Sequence, residues 1–238
     1  MIMRKLINVI FLSVGILTIL SSCDATRRMS KQDKGVAGGA VVGGVIGGVI
    51  GNNTGKGNTA LGAIIGAAVG GVAGGIIGRN MDKQAEKIKT EVPGAKVERV
   101  GEGINVTFDE NNPDGSKAGV YFATNKYNIT PNSELALSKL MTIFAEYPET
   151  NILIEGHTDD VGTEAYNLGL SQRRAEAVGT YLQNKGLAPD RLIIRWYGEN
   201  QPIVENNSDA NRALNRRVQF VITANDKMKE EAKKEAGQ

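Results

Sequence analysis

The run Glu155-Gly156-His157-Thr158-Asp159, with Arg174 fifteen residues after its last member, decides the fold and the candidate site of this chain. Asp159 comes just after a predicted buried strand, and Arg174 lies about two turns into the predicted helix that follows. An acid at a strand end and an arginine early in the next helix can face one small ligand. Asp159 can accept from an ammonium group, and Arg174 can offer a two-pronged donor to a carboxylate. The pattern therefore predicts a clamp for a ligand with both groups close together.

The sequence around this run predicts an α+β domain. Hydrophobic patterning indicates helices over residues 133–147 and 168–185, and a short helical turn over 209–215. Strands are predicted over residues 119–123, 151–156, 191–197 and 218–223. This βαβαββ-type order predicts one mixed sheet with helices packed on one face.

Further segments are predicted on both sides of this domain, which we place at residues 109–226. Residues 79–108 predict a short amphipathic helix, up to residue 91, followed by a β-hairpin of strands 96–100 and 104–108. Residues 227–238 alternate lysine and glutamate, which predicts a solvated, partly helical tail.

The N-terminus has the features of a secretory signal over residues 1–22. Arg4 and Lys5 precede an apolar stretch of about 15 residues, too short for a comfortable membrane span. Cys23 follows, so the segment resembles a bacterial lipoprotein signal with Cys23 as the acylated first residue of the mature chain. The alternative is a signal anchor that happens to end in cysteine. Because Cys23 is the only cysteine, no intramolecular disulfide can form.

A glycine-rich region over residues 35–78 follows a polar tether at 23–34. Two sets of glycines recur every four residues, which places each set on one stripe of a helix: Gly35, Gly39, Gly43, Gly47, Gly51, and Gly62, Gly66, Gly70, Gly74, Gly78. We predict a hairpin of two glycine-faced helices, which pair closely in lipid or in a homo-oligomer. The region resembles the glycine-zipper segments of small outer-membrane lipoproteins; a flexible linker is the alternative.

Composition and motifs argue against several classes of function. Arg4 and Lys5 are the only charges in residues 1–22, so removing them takes the net charge of +2 to about zero, and no nucleic-acid partner is expected. His157 is the only histidine, which does not supply a zinc site. The adjacent Asp159 and Asp160 do not face each other across a cleft as glycosidase carboxylates do. We therefore predict a protein that is not an enzyme and needs no metal or cofactor.

Several motifs, taken together and in order, resemble the OmpA-like C-terminal domain, the peptidoglycan-binding module of outer-membrane proteins and lipoproteins. The resemblance covers roughly residues 119–223, less than half of the chain. It rests on these residues: Gly156-His157-Thr158-Asp159, Tyr166-Asn167, Leu170-Ser171, Arg174-Ala175, Tyr197-Gly198-Glu199, Pro202 and Asn215-Arg216-Arg217-Val218.

The resemblance implies that Asp159 and Arg174 hold the zwitterionic end of diaminopimelate in the peptidoglycan stem peptide. Asn167 and Arg216 match family positions that line the same pocket, and His157 matches a residue with a structural role. The alternatives are a plain salt bridge between Asp159 and Arg174, and structural pairing of Arg216 with a carboxylate. One departure is the run at 122–124, Phe-Ala-Thr, where the peptidoglycan-associated lipoprotein branch has an aspartate after the phenylalanine.

The predicted function is to anchor the outer membrane to peptidoglycan, with the protein lipid-anchored at the cell outer membrane and facing the periplasm. A second interpretation is a membrane-active or oligomer-forming structural protein that acts through its glycine-zipper hairpin. A flagellar stator-like role also uses this kind of domain, but it calls for an uncleaved N-terminal membrane helix and no lipoprotein cysteine.

Overall fold

The computed structural model describes residues 69, 71–108, 119–123 and 125–237. The predicted signal peptide, the tether with Cys23 and most of the glycine-zipper region lie outside these residues. Among the described residues, none of the helices is both long enough and apolar enough to cross a membrane.

The described chain forms five α-helices and five strands. In chain order the elements are α1 (Gly71–Glu91), β1 (Lys96–Val100), β2 (Gly103–Phe108), α2 (Pro131–Glu146), β3 (Thr150–His157), α3 (Glu164–Asn184), a 3-10 turn (Pro189–Arg191), β4 (Leu192–Gly198), α4 (Asp209–Asn215), β5 (Val218–Ala224) and α5 (Asp226–Glu235). The predicted helical turn at 209–215 is confirmed as α4.

All five strands belong to one mixed sheet, in the order β1-β2-β5-β3-β4. β3 and β4 are parallel, with α3 as the crossover between them, and the other neighbours are antiparallel. The predicted α+β class with a mixed sheet is therefore confirmed. Because β2 pairs with β5, the hairpin upstream of residue 109 is part of the same sheet as the strands downstream.

Alternation along the strands separates the two faces of the sheet. Ile152 and Ile154 of β3 belong to the main hydrophobic core, to which α1, α2, α3 and α5 also contribute. Leu153, between them, points to the opposite face, where it packs against Val221 of β5. We call these the helix-covered face and the opposite face.

The predicted strand at residues 119–123 is wrong, because this segment is irregular and lies outside the sheet. At its centre, the backbone of Tyr121 bonds to a side chain: Tyr121 N donates to Ser133 Oγ at 3.2 Å, and Ser133 Oγ donates to Tyr121 O at 3.0 Å. Gly119 has a φ of 121°, which a regular strand does not accommodate. The hairpin of β1 and β2 occupies the sheet position beside β5 instead.

Two helices are more extensive or more buried than the sequence predicts. α1 begins at Gly71, inside the predicted glycine-zipper region, and buries Ala73 and Ile77 before the predicted start at residue 79. The tail is helical as predicted but is not solvated throughout, because Met228 and Ala232 of α5 are buried and α5 packs against α1.

Candidate ligand-binding site

Close packing between β3 and α3 fixes the two ends of the predicted clamp. Gly156 leaves no room for a side chain, since a Cβ there would lie 2.3 Å from Ser171 O. Gly198, with a φ of 55°, donates from its N to Ser171 Oγ at 2.9 Å, and its carbonyl accepts from Thr158 N at 2.9 Å. The strand ends and the helix are therefore tied together directly beside Asp159.

A tight turn carries Asp159 from β3 into α3. Val161 N donates to Asp159 Oδ1 at 3.2 Å, and Gly162 takes a φ of 115° that other residues rarely adopt. Thr163 caps the helix by accepting from Tyr166 N at 3.2 Å. The carboxylate thus satisfies part of its hydrogen-bonding capacity within the turn.

Asn167 is buried behind this turn. Its Nδ2 donates to Asp159 O at 3.2 Å and to Glu199 Oε2 at 2.5 Å, so it joins the turn after β3 to the segment after β4. Asn167 is 1% exposed. Its contacts are therefore with the frame of the site, and its amide fixes the position of the Asp159 backbone.

All four predicted binding residues line one cavity of about 310 Å³. The structure therefore brings together side chains that are separated by up to 57 positions in the chain. Its lining residues are Val120, Tyr121, Phe122, Asn125, Thr158, Asp159, Val161, Tyr166, Asn167, Leu170, Arg174, Asp209, Arg212, Arg216, Arg217 and Val218.

Asp159 forms an ion pair with Arg216. Arg216 Nη1 donates to Asp159 Oδ2 at 2.6 Å, and the aspartate is 7% exposed. Sequence reasoning weighed a salt bridge between Asp159 and Arg174, but the guanidinium hydrogen-bonded to the carboxylate comes from the segment before β5. Asp159 Oδ2 is therefore already paired with a cation at the position proposed for an ammonium.

Arg174 is held by the irregular segment that sequence reasoning had assigned to a strand. Its Nε donates to Lys126 O at 3.0 Å, its Nη2 lies 3.4 Å from Ala123 O, and the guanidinium carbon stands 5.2 Å from the centre of the Phe122 ring. In the sequence, the departure from the family pattern after Phe122 was the signal that this segment belongs to the site.

The cavity also includes charged residues that were not among the predicted ligands. Arg212 and Arg217 line it, and so does Asp209, which forms an ion pair with Arg212. Arg217 belongs to the motif Asn215-Arg216-Arg217-Val218 that carries the family resemblance, and Arg212 lies three residues before it. Among the described residues of the lining, four are arginines and two are aspartates, and the arginines favour a ligand that presents a carboxylate.

His157 is buried beside the cavity without lining it. Its ring stacks on Tyr197 with 5.3 Å between centroids and 22° between planes. Burial, with a smaller contribution from the charge of Arg217, lowers the pKa of His157 well below its usual value, so the ring is neutral at physiological pH. Within the described residues, no group of three or more His, Cys, Asp or Glu side chains is placed to hold a metal ion.

Glu155, two positions earlier on the same strand, is buried on the opposite face of the sheet. Burial raises the pKa of its carboxyl to about 7, although the charges of Arg217 and Arg195 and a hydrogen bond from Tyr197 lower it. A buried carboxyl of this kind exchanges its proton near neutral pH.

The mixed sheet, the helices on one face and the acid–arginine cavity at the β3–α3 junction define an α+β domain with an OmpA-like fold. Residues 121–216 match the OmpA family, and residues 3–82 match the YMGG-like Gly-zipper. The chain therefore carries an OmpA-family domain preceded by a glycine-zipper segment.

Similar proteins match the C-terminal part of the chain. Outer membrane porin F of Pseudomonas fluorescens is 43% identical over 105 residues, which are 44% of this chain and 32% of that protein. The peptidoglycan-associated lipoprotein of Haemophilus influenzae is 40% identical over 99 residues, 42% of this chain and 65% of that protein. A crystal structure of a MotB like protein from Desulfovibrio vulgaris has a TM-score of 0.52 and 29% identity, covering 62% of this chain and 93% of that one.

Proposed function

We propose that this protein is a non-enzymatic lipoprotein that anchors the outer membrane to peptidoglycan by binding the diaminopimelate end of the stem peptide. One observation carries the proposal: Asp159, Asn167, Arg174 and Arg216 line a single cavity in a domain of the OmpA family. The similarity to a peptidoglycan-associated lipoprotein supports the choice of ligand. Acylated Cys23 is proposed as the attachment to the membrane.

Binding begins with an exchange of cations at Asp159. The ligand ammonium takes the place of the Arg216 guanidinium at Oδ2, while Val161 N keeps Oδ1 in position. Arg216 then moves toward the ligand carboxylate, which Arg174 also faces from across the cavity. Because the ligand ammonium must displace the Arg216 guanidinium from Asp159, part of the binding free energy is offset and net affinity is modest, with a dissociation constant on the order of micromolar to millimolar.

A modest affinity is sufficient for an anchor. Peptidoglycan repeats the ligand many times, and a lipid on Cys23 would keep the domain next to the wall. The effective concentration of the ligand is therefore high, and many weak contacts together hold the envelope layers at a fixed separation.

The test is a pull-down of the full chain in detergent with intact peptidoglycan sacculi. Asp159→Asn removes the charge and keeps the shape, whereas Arg174→Lys keeps the charge and removes the planar fork. Each is expected to weaken binding by about 1–2 kcal/mol, roughly five- to thirty-fold. Asp160→Asn is the matched control, because this exposed neighbour does not line the cavity. If both test variants bind sacculi as strongly as the wild type, Asp159 and Arg174 do not bind the ligand and this cavity is not the peptidoglycan site.

The match to the Gly-zipper over residues 3–82 favours a second candidate, a structural protein that acts through membrane insertion or homo-oligomerisation. Deleting residues 35–68, which leaves the buried part of α1 intact, separates the two. An anchor keeps its binding to sacculi after this deletion, whereas an oligomer formed by the zipper dissociates. Cys23→Ser tests which segment attaches the protein to the membrane. If Cys23 carries the lipid, the variant protein is expected to lose both fatty-acid labelling and retention in the membrane.

A further inference from the structure

A second cavity, of about 370 Å³, lies on the opposite face of the sheet. Strands β1, β2 and β5 form its floor, and the segment between β4 and β5 contributes Ile203 and Leu214 to its wall. Arg217 lines this cavity as well as the one around Asp159, so the two cavities meet at its side chain. This volume is near the small end of the range for ligand pockets and suits one small ring.

Two amide side chains that line this cavity have buried atoms without a hydrogen-bond partner. Asn105, 7% exposed, has no hydrogen-bond partner for Oδ1, and Gln219, 1% exposed, has none for Nε2. The other amide atom of Gln219, Oε1, accepts from Arg217 Nε at 3.3 Å, and this contact orients the side chain. An unsatisfied buried polar group costs about 1–3 kcal/mol, so a site that keeps two of them needs an explanation.

The strand register places the two amides on one diagonal of the floor. Thr107 of β2 pairs with Gln219 of β5, and Asn105 pairs with Val221, so Asn105 and Gln219 are diagonal neighbours on the same face. Diagonal neighbours are roughly 7 Å apart. The floor therefore places a residue with an unpartnered acceptor beside a residue with an unpartnered donor, which complement the N–H and the C=O of one secondary amide.

We propose that this cavity binds the acetamido group of an N-acetylated amino sugar. The acetamido N–H donates to Asn105 Oδ1, its carbonyl accepts from Gln219 Nε2, and its methyl group packs against Ile203 and Leu214. The sugar hydroxyls face Thr107 at the edge of the cavity.

The choice of a sugar rests on the proposed function, because the wall polymer carries N-acetylated sugars beside its stem peptides. Arg217 lies between the two cavities, so one glycan strand with its peptide could reach both. A peptide backbone offers the same secondary amide, and the experiment distinguishes these two sources.

The test is a saturation-transfer NMR titration of the full chain in detergent with free N-acetylglucosamine. Glucosamine, which lacks the acetyl group, and N-acetylalanine methylamide, a peptide amide, are the comparison probes. Saturable binding of N-acetylglucosamine is expected, at least fivefold tighter than that of either comparison probe. Asn105→Leu removes the acceptor, and Gln219→Glu replaces the free donor while keeping an oxygen for Arg217; each is expected to weaken sugar binding at least fivefold.

Asn151→Leu is the matched control. Asn151 of β3 is also an amide on the opposite face of the sheet, but it does not line the cavity. Circular dichroism establishes that each variant is folded, and two independent variants remain informative if one is not. Absence of saturable sugar binding, equal binding by Asn105→Leu, or preference for the peptide amide would each overturn the proposal. If the protein binds the sugar but not sacculi, the proposal of a sugar site stands and the proposed anchoring function is refuted.

Discussion

The two faces of the central sheet treat polar groups in opposite ways. The helix-covered face buries the main apolar core between the strands and the helices, and at Gly156 it has no room for one more carbon. Among the described residues, the opposite face has an apolar cluster of two buried residues, Leu153 and Val221, and buries Glu155 and Gln219 beside them. The same strands thus pack apolar side chains on one face and bury polar and ionisable side chains on the other.

This difference shows where the free energy of folding is gained and where it is given up. Burial of apolar side chains on the helix-covered face stabilises the fold. On the opposite face, unpartnered amides and a desolvated carboxyl reduce stability. Such costs persist where a protein uses the groups, so the buried polar residues of the opposite face are candidates for a function in addition to the site around Asp159.

The largest effect is expected on the helix-covered face, from Gly156→Ala. The added Cβ would meet Ser171 O at 2.3 Å, and since this atom is backbone, α3 must move away from β3. We expect the free energy of unfolding to fall by about 3 kcal/mol, measured by urea denaturation. Gly78→Ala is the matched control, because a Cβ there meets nothing within 4 Å; it should raise stability by about 1 kcal/mol. Equal effects would mean that the two elements are not in close contact.

The next effect concerns pH and the opposite face. The pKa of Glu155 is raised from 4.5 to about 7, so the folded state holds the extra proton between these values and the free energy of unfolding falls as pH rises through them. From pH 5 to pH 8 this loss is about 2–3 kcal/mol. Glu155→Gln removes it, and His157, present in both proteins, cancels in the comparison.

Denaturation of the wild type and of Glu155→Gln at pH 5 and pH 8 measures this contribution. The variant should be more stable relative to the wild type at pH 8 than at pH 5. If the stability difference between the two proteins is the same at both pH values, Glu155 does not change its protonation in the folded state and the contrast between the faces is weakened.

The smallest effect comes from an exception on the helix-covered side. Gln84 of α1 is fully buried, and neither its Oε1 nor its Nε2 has a hydrogen-bond partner. Gln84→Met keeps an unbranched side chain of similar size and removes both polar atoms. We expect the free energy of unfolding to rise by about 1–2 kcal/mol. A loss of stability in thermal denaturation would show that this amide is satisfied in solution, and that polar burial is not confined to the opposite face.

Much of the fold could be predicted from local patterns. The apolar run that forms β3 and the helical spacing that forms α3 are properties of short segments, and both predictions hold. The irregular course of residues 119–123 could not be read in this way. It depends on hydrogen bonds between the backbone of Tyr121 and the side chain of Ser133. The hydrophobic pattern of a segment does not indicate that its backbone bonds to a side chain elsewhere in the chain.

The candidate site followed the same division. That Asp159 and Arg174 line one cavity was predictable, because a short turn joins the strand to the helix that carries them. That Arg216 pairs with Asp159 was not, since the partner is brought in by β5 from far along the chain. The burial of Gln219 and Asn105 likewise depends on how β2 and β5 pair.

The packing of α1 has a mechanical consequence. This helix follows directly on the segment predicted to lead to the membrane, yet its buried residues Ile77 and Met81 are part of the domain core, and it packs against α5. If the membrane pulls on one end and the wall holds the Asp159 cavity, tension passes through α1 before it reaches the sheet. Strain across the envelope would then act along the interface of the first and last helices, and this helical pair would set the force at which the domain yields.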